Sequence, residues 1–149
     1  SYWAFLIFIV GVLVGKIVVP FLETIFGAID YSAYGALEGN KEAVIQLWIY
    51  AMISAAFAEE VIFRGYFCYL FEKFMGTSKI ANISMVIVGS LIFTFAHFSQ
   101  GITGLISIFM VSLLFYTVYI LSGKNIYTTI LGHALIDTFG LYQIYLGNF

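Results

Sequence analysis

Charge is what this chain has least of: nine per cent of its 149 residues are Asp, Glu, Lys or Arg, and it holds one cysteine, one proline and two histidines. A soluble domain is about a quarter charged, so there is too little charge here to cover a water-facing surface. No run of Lys or Arg makes the basic footprint that phosphate backbones require, which excludes a nucleic-acid partner. The lone Cys68 excludes an intrachain disulfide, and without a cysteine cluster there is no sulfur-based metal motif; it reads as packing. The single proline, Pro20, predicts a kink or an end in the first apolar segment. The short alternating segments of a membrane barrel are also missing.

What fills the chain instead is apolar: 62 per cent of the residues are hydrophobic. At about 20 residues per crossing, the length predicts an all-α transmembrane bundle of five or six helices in one domain spanning 1–149. The opening SYWAFLIFIVGVLVGK has neither a basic n-region nor a small-residue cleavage site, so it reads as a membrane helix and not a signal peptide. The first span is Tyr2 to Phe26, with Lys16 and Glu23 placed to snorkel. Gly27 to Glu42 collects turn formers and four charges and reads as a surface connection. Ala43 to Phe74 is longer than a bilayer core of roughly 30 Å needs; it must tilt, bend or divide, most readily at Gly65. Lys79 to Phe98, Leu105 to Leu121 and Ile126 to Leu146 complete the spans. Lys73, Lys79 and Lys124 fall at one end of these helices, which the positive-inside rule assigns to the cytoplasm.

Charged groups inside a membrane helix cost about 2.5 to 3.5 kcal/mol each on insertion scales and commonly mark function. Six positions therefore stand out: Glu59, Glu60, Arg64, His97, His133 and Asp137. Glu60 and Arg64 are four apart with the acid first, the favourable order for a helical ion pair. Glu59 is turned about 100° away, so Arg64 does not readily neutralise both acids. One reading leaves Glu59 free for chemistry; the other makes all three a buried cluster that only fixes packing. Likewise each histidine, taken singly, suits an interhelical hydrogen bond, and His133 with Asp137 suits a local pair on one helix face. Counted from the lysine end, Glu59, His97 and Asp137 lie roughly 18 to 27 Å along their helices, with His133 somewhat nearer that end. One shared site is geometrically open to them.

Such a site can activate water. A carboxylate in apolar surroundings is suited to take a proton from water near neutral pH, a histidine can hold that water, and a second can donate to an oxyanion. Two histidines and a carboxylate also resemble a catalytic zinc set, although no HExxH spacing occurs. Intramembrane Glu, His and Asp serve proton or ion relays as well, so a transporter is a rival reading, and a non-catalytic immunity protein that sequesters a peptide is another.

EEVIFRG (Glu59, Glu60, Arg64), FTFAH (Phe93, His97) and HALID (His133, Asp137), in that order on successive apolar segments, resemble the EExxxR, FxxxH and Hxxx(N/D) signature of the CAAX protease and bacteriocin-processing (Abi) family of type II CAAX prenyl endopeptidases. The matching core is about 56–140, with the first helix outside it. The resemblance implies a metal-free intramembrane glutamate endopeptidase acting on a membrane-associated peptide or a prenylated CAAX terminus. It implies Glu59 as general base, His97 as its partner in holding water, His133 with Asp137 as oxyanion and orienting group, and Glu60 and Arg64 as support. At the last position the prenyl-processing members carry Asn, which can donate; an ionised Asp only accepts, so the oxyanion contact falls to His133. The lysine-based orientation sets the site nearer the outer leaflet, which favours a membrane-borne peptide such as a leader. Asp137 and the short chain suit a prokaryotic plasma-membrane relative.

Overall fold

The computed structural model describes residues 2–29 and 31–148, so Asp30 of the polar connection lies outside the described residues. Five helices account for most of them: α1 (Tyr2–Phe26), α2 (Lys41–Met75), α3 (Lys79–Phe95), α4 (Gly101–Leu121) and α5 (Ile126–Tyr145). The breaks fall where side chains or glycines satisfy helix ends. Asn40, Ser78 and Asn125 accept from the backbone N–H of Ala43, Ala81 and Tyr127 at the starts of α2, α3 and α5, each supplying one partner for the orphan donors of a first turn. Gly27 and Gly76, at φ of 91° and 76°, end α1 and α2.

By length and composition α1, α2 and the segment Phe98–Leu121 can cross a membrane, whereas α3, at 17 residues, is apolar but shorter. Large apolar side chains cover the outside, among them Phe21, Ile53 and Phe74, while Glu60 and Arg64 are 0% and 1% exposed. Apolar outside and charged inside is the arrangement that lipid selects.

Neither expected interruption ends its helix. Before Pro20, α1 widens into a π turn at Val14–Val18, with Val19 N–H reaching Val14 O; this makes room where the proline ring would meet the carbonyl of residue 16. In α2 the turns are widened over Met52–Glu59 and Val61–Tyr66, and the helix runs through Gly65 in a single pass. Gly65 has a different use: a Cβ there would meet Ile126 Cδ1 at 3.2 Å, so its bareness admits the start of α5. Lys16 is also mid-helix and not near an end; its Nζ reaches Gln143 Oε1 of α5 at 3.3 Å. The polar connection is not wholly at the surface, since Leu37 is buried and Gly39 N–H bonds Tyr145 O at 3.0 Å.

These contacts fix the path. The start of α2 lies beside the end of α5, and Lys124 at the start of α5 pairs with Glu72 near the end of α2 at 2.8 Å, so α2 and α5 are antiparallel. Lys73, Lys79 and Lys124 thus share one end, as expected. Thr103 of α4 donates to Gly27 O at 2.7 Å at the opposite end.

Helix α1 runs parallel to α5 in close contact. A Cβ on Gly132 would lie 2.8 Å from Ile7 Cγ2 and 3.0 Å from Ile7 Cβ, whereas one on Gly11 would meet only the Cδ1 tip of Ile136, at 2.6 Å, and its Cγ1 at 3.2 Å. Ile7 is fully buried and cannot swing clear. Gly132→Val is therefore expected to lower stability in detergent by about 1 to 3 kcal/mol through overpacking. Gly11→Ala, where a flexible tip yields and helix propensity improves by about 1 kcal/mol, is expected to be neutral or mildly stabilising. Thermal unfolding of the two variants checks the contrast.

Candidate active site

The motif residues of α2 sit where its turns are widened, Glu59 closing one π stretch and Arg64 lying in the next. Such i→i+5 turns recur at functional sites because they re-aim side chains without ending a helix. Glu60 Oε1 accepts from Arg64 Nη1 at 3.0 Å, the expected i,i+4 pair, and it also accepts from His133 Nδ1 of α5 at 2.8 Å. The second bond, from a residue 73 positions away, adds a partner that helical spacing does not give. The expected i,i+4 pair of His133 with Asp137 is present as an ion-pair contact, His133 Nε2 to Asp137 Oδ1 at 3.7 Å, longer than a hydrogen bond. His133 is bonded to Glu60 and only electrostatically close to Asp137.

Arg64 is held on every side. Its Nη2 donates to Ser112 Oγ at 3.2 Å, and its guanidinium carbon lies 4.5, 4.7 and 4.9 Å from the ring centroids of Phe93, Tyr116 and Phe115. Aromatic faces attract a desolvated cation, so α3 and α4 supply part of what water would have supplied. Sequence reasoning passed over Ser112, Phe115 and Tyr116. The available signals were a lone serine within an apolar stretch, MVSLLFY, and Phe93 one turn before His97.

Glu59 is half-buried and makes no hydrogen bond or ion pair among the described residues. The ionisable groups near enough to act on it are His133, His97, Glu60 and Arg64, so both histidines lie in its neighbourhood without bonding to it. His97 lies just past the end of α3 and not within it. Its Nδ1 is 2.9 Å from Phe93 O; a carbonyl only accepts, so Nδ1 carries a proton and Nε2 is the ring nitrogen left for a water. By the same reasoning His133 Nδ1–H is committed to the Glu60 carboxylate. Asp137 is reached by the charges of His133, Glu59 and Glu60. Its neighbour Thr138 accepts from Trp48 Nε1 of α2 at 2.8 Å, which ties this part of α5 to α2.

A cavity of about 60 Å³ opens beside the Glu60–Arg64 pair, lined by Glu60, Arg64, Ser112 and His133 on its polar side and by Phe93, Phe115, Val111 and Ile136 elsewhere; Glu59, His97 and Asp137 do not line it. That volume admits water to polar groups, and two of the lining residues carry buried atoms without a protein partner, Glu60 Oε2 and Arg64 Nε. The arrangement offers an unpaired carboxylate, one imidazole nitrogen left for a water, and one imidazole anchored by a carboxylate. Among the described residues no three His, Cys, Asp or Glu side chains form a group that could hold a metal ion.

A family model for Rce1-like type II CAAX prenyl endopeptidases matches residues 41–139, two-thirds of the chain. It starts at the first residue of α2, earlier than the core drawn from the motifs, takes in all three motifs and leaves α1 outside. No curated protein and no solved structure matches the chain.

Proposed function

The chain belongs to the Rce1-like type II CAAX prenyl endopeptidase family, and from that premise we propose that it is an intramembrane endopeptidase in which Glu59 activates water against a peptide bond. The observation that carries this reading is the isolation of Glu59: among the described residues it alone of the site carboxylates has no hydrogen bond or ion pair, yet both histidines lie near enough to act on it. A water held between Glu59 and His97 Nε2 gives one proton to the carboxylate and points the other at the imidazole. Its lone pair then faces the carbonyl carbon of the substrate. As the tetrahedral oxyanion forms, His133 offers a donor only through Nε2, since Nδ1–H is used by Glu60; a proton there makes the ring an imidazolium, flanked by Glu60 and Asp137. Glu59 passes its proton to the departing amine, which leaves acid and amine products and restores the carboxylate.

The substrate is a membrane-associated peptide or a CAAX-type terminus, and the five helices form a five-span bundle in a prokaryotic plasma membrane. With the lysine end cytoplasmic, His97 lies toward the opposite face, which favours a membrane-borne peptide over a cytoplasmic prenylated tail. The test is incubation of the purified chain, in lipid nanodiscs and heavy-oxygen water, with prenylated and unprenylated membrane peptides, followed by mass spectrometry. One internal cut with one heavy oxygen in the new carboxylate is expected. No cut together with proton-coupled uptake in proteoliposomes would make the protein a transporter, and tight peptide retention without a cut would make it a sequestering protein.

A further inference from the structure

On the face of α3 turned away from the site, a second and larger cavity of about 480 Å³ runs between α3 and α4 at the lysine end. Its walls are mostly apolar, formed by Ile83, Val86, Ile87, Ile120 and Leu121 with Thr117 among them, and Lys79 and Asn82 stand at its head. Helix α3 directs Gly89 and Phe93 inward to Tyr116 and Arg64, while Ile83 and Ile87 are 51% and 45% exposed on the outer side. None of the motif residues lines the groove.

The two polar groups at its head are unused. Asn82 Oδ1 is buried without a hydrogen-bond partner, and Lys79 makes no ion pair among the described residues, in contrast to Lys124, which is held by Glu72. A buried acceptor left unpaired costs free energy that a donor would recover. Lys79 is the first residue of α3, and Ile87 lies about 12 Å farther along the helix. A ligand fitting this groove therefore has an anionic head with a hydroxyl to donate, and an apolar tail running toward the bilayer centre.

We propose that the α3–α4 groove is a binding site for an anionic glycerophospholipid of the phosphatidylglycerol type, its phosphate on Lys79, its head-group hydroxyl donating to Asn82 Oδ1, and one acyl chain along Ile83, Ile87 and Ile120. The charge complementarity is local. Lys73 is at the same end of the bundle and exposed, but it does not line the groove.

Native mass spectrometry of the full chain, released from detergent doped with phosphatidylglycerol or phosphatidylcholine, tests this. One phosphatidylglycerol is expected to stay bound with about fivefold preference over phosphatidylcholine, the discrimination one lysine gives near a membrane surface. Lys79→Gln removes that preference, Ile83→Trp fills the groove and lowers retention of both lipids, and Lys73→Gln changes nothing. Equal retention of the two lipids overturns the proposal, as does a Lys73→Gln loss equal to that of Lys79→Gln, which would mark general surface charge. Displacement of the bound lipid by a farnesylated peptide also overturns it, because the groove would then be a substrate subsite. These readouts do not require proteolysis, so they hold or fail separately from the reaction assigned to Glu59.

Discussion

Glu59→Gln is expected to lower peptide cleavage by about 10²- to 10⁴-fold, the range that a positioned general base contributes, while leaving the unfolding temperature in detergent close to that of the parent chain. The amide keeps the shape and the polarity but cannot accept the proton of water. Stability should hold because Glu59 has no ion pair or hydrogen bond to lose among the described residues, and the buried charge of Arg64 is balanced by Glu60. A single-turnover assay on whichever peptide is cut, paired with thermal unfolding, separates the two effects. Loss of activity accompanied by an equal loss of folded protein would move Glu59 into the packing cluster and leave the reaction without a base.

How far the chain itself announces this arrangement differs from residue to residue. The helices were legible because Asn40, Ser78, Gly76 and Asn125 interrupt apolar runs with groups that can cap or end a helix; of the five, three are long and apolar enough to cross a membrane. The Glu60–Arg64 pair was legible because helical spacing alone brings i and i+4 together. What was not legible depends on contacts between helices far apart in sequence. The bond from Glu60 to His133 joins residues 73 positions apart, and no local period encodes it. The aromatic cage was hidden for another reason: Phe115 and Tyr116 are ordinary members of an apolar span until Arg64 is placed between them. The widened turns of α2 had no sequence signal either; Gly65 drew attention as a break, yet its absent side chain serves α5.

Glu60→Leu is expected to be the most damaging single change to stability, about 3 to 5 kcal/mol, because it leaves the guanidinium of Arg64 buried without a counter-charge. Three aromatic rings soften that loss without cancelling it, since cation–π contacts of this kind bring about 2 kcal/mol or more when desolvated, less than a buried unit charge requires. Replacing both members, Glu60→Leu with Arg64→Met, removes the pair and fills its space with apolar atoms, a change that is often neutral for stability. The double variant is therefore expected to regain most of the unfolding temperature. It should regain little of the activity, because His133 Nδ1 loses the acceptor that fixes its ring. Denaturation in detergent and cleavage assays on the two single variants and the double variant read the two consequences apart. If Glu60→Leu cost no more than Glu59→Leu, the burial of the pair would carry no energetic weight. If the double variant cut peptide at the parent rate, the bond from Glu60 to His133 would have no part in catalysis, and His133 would have to be oriented by Asp137 alone.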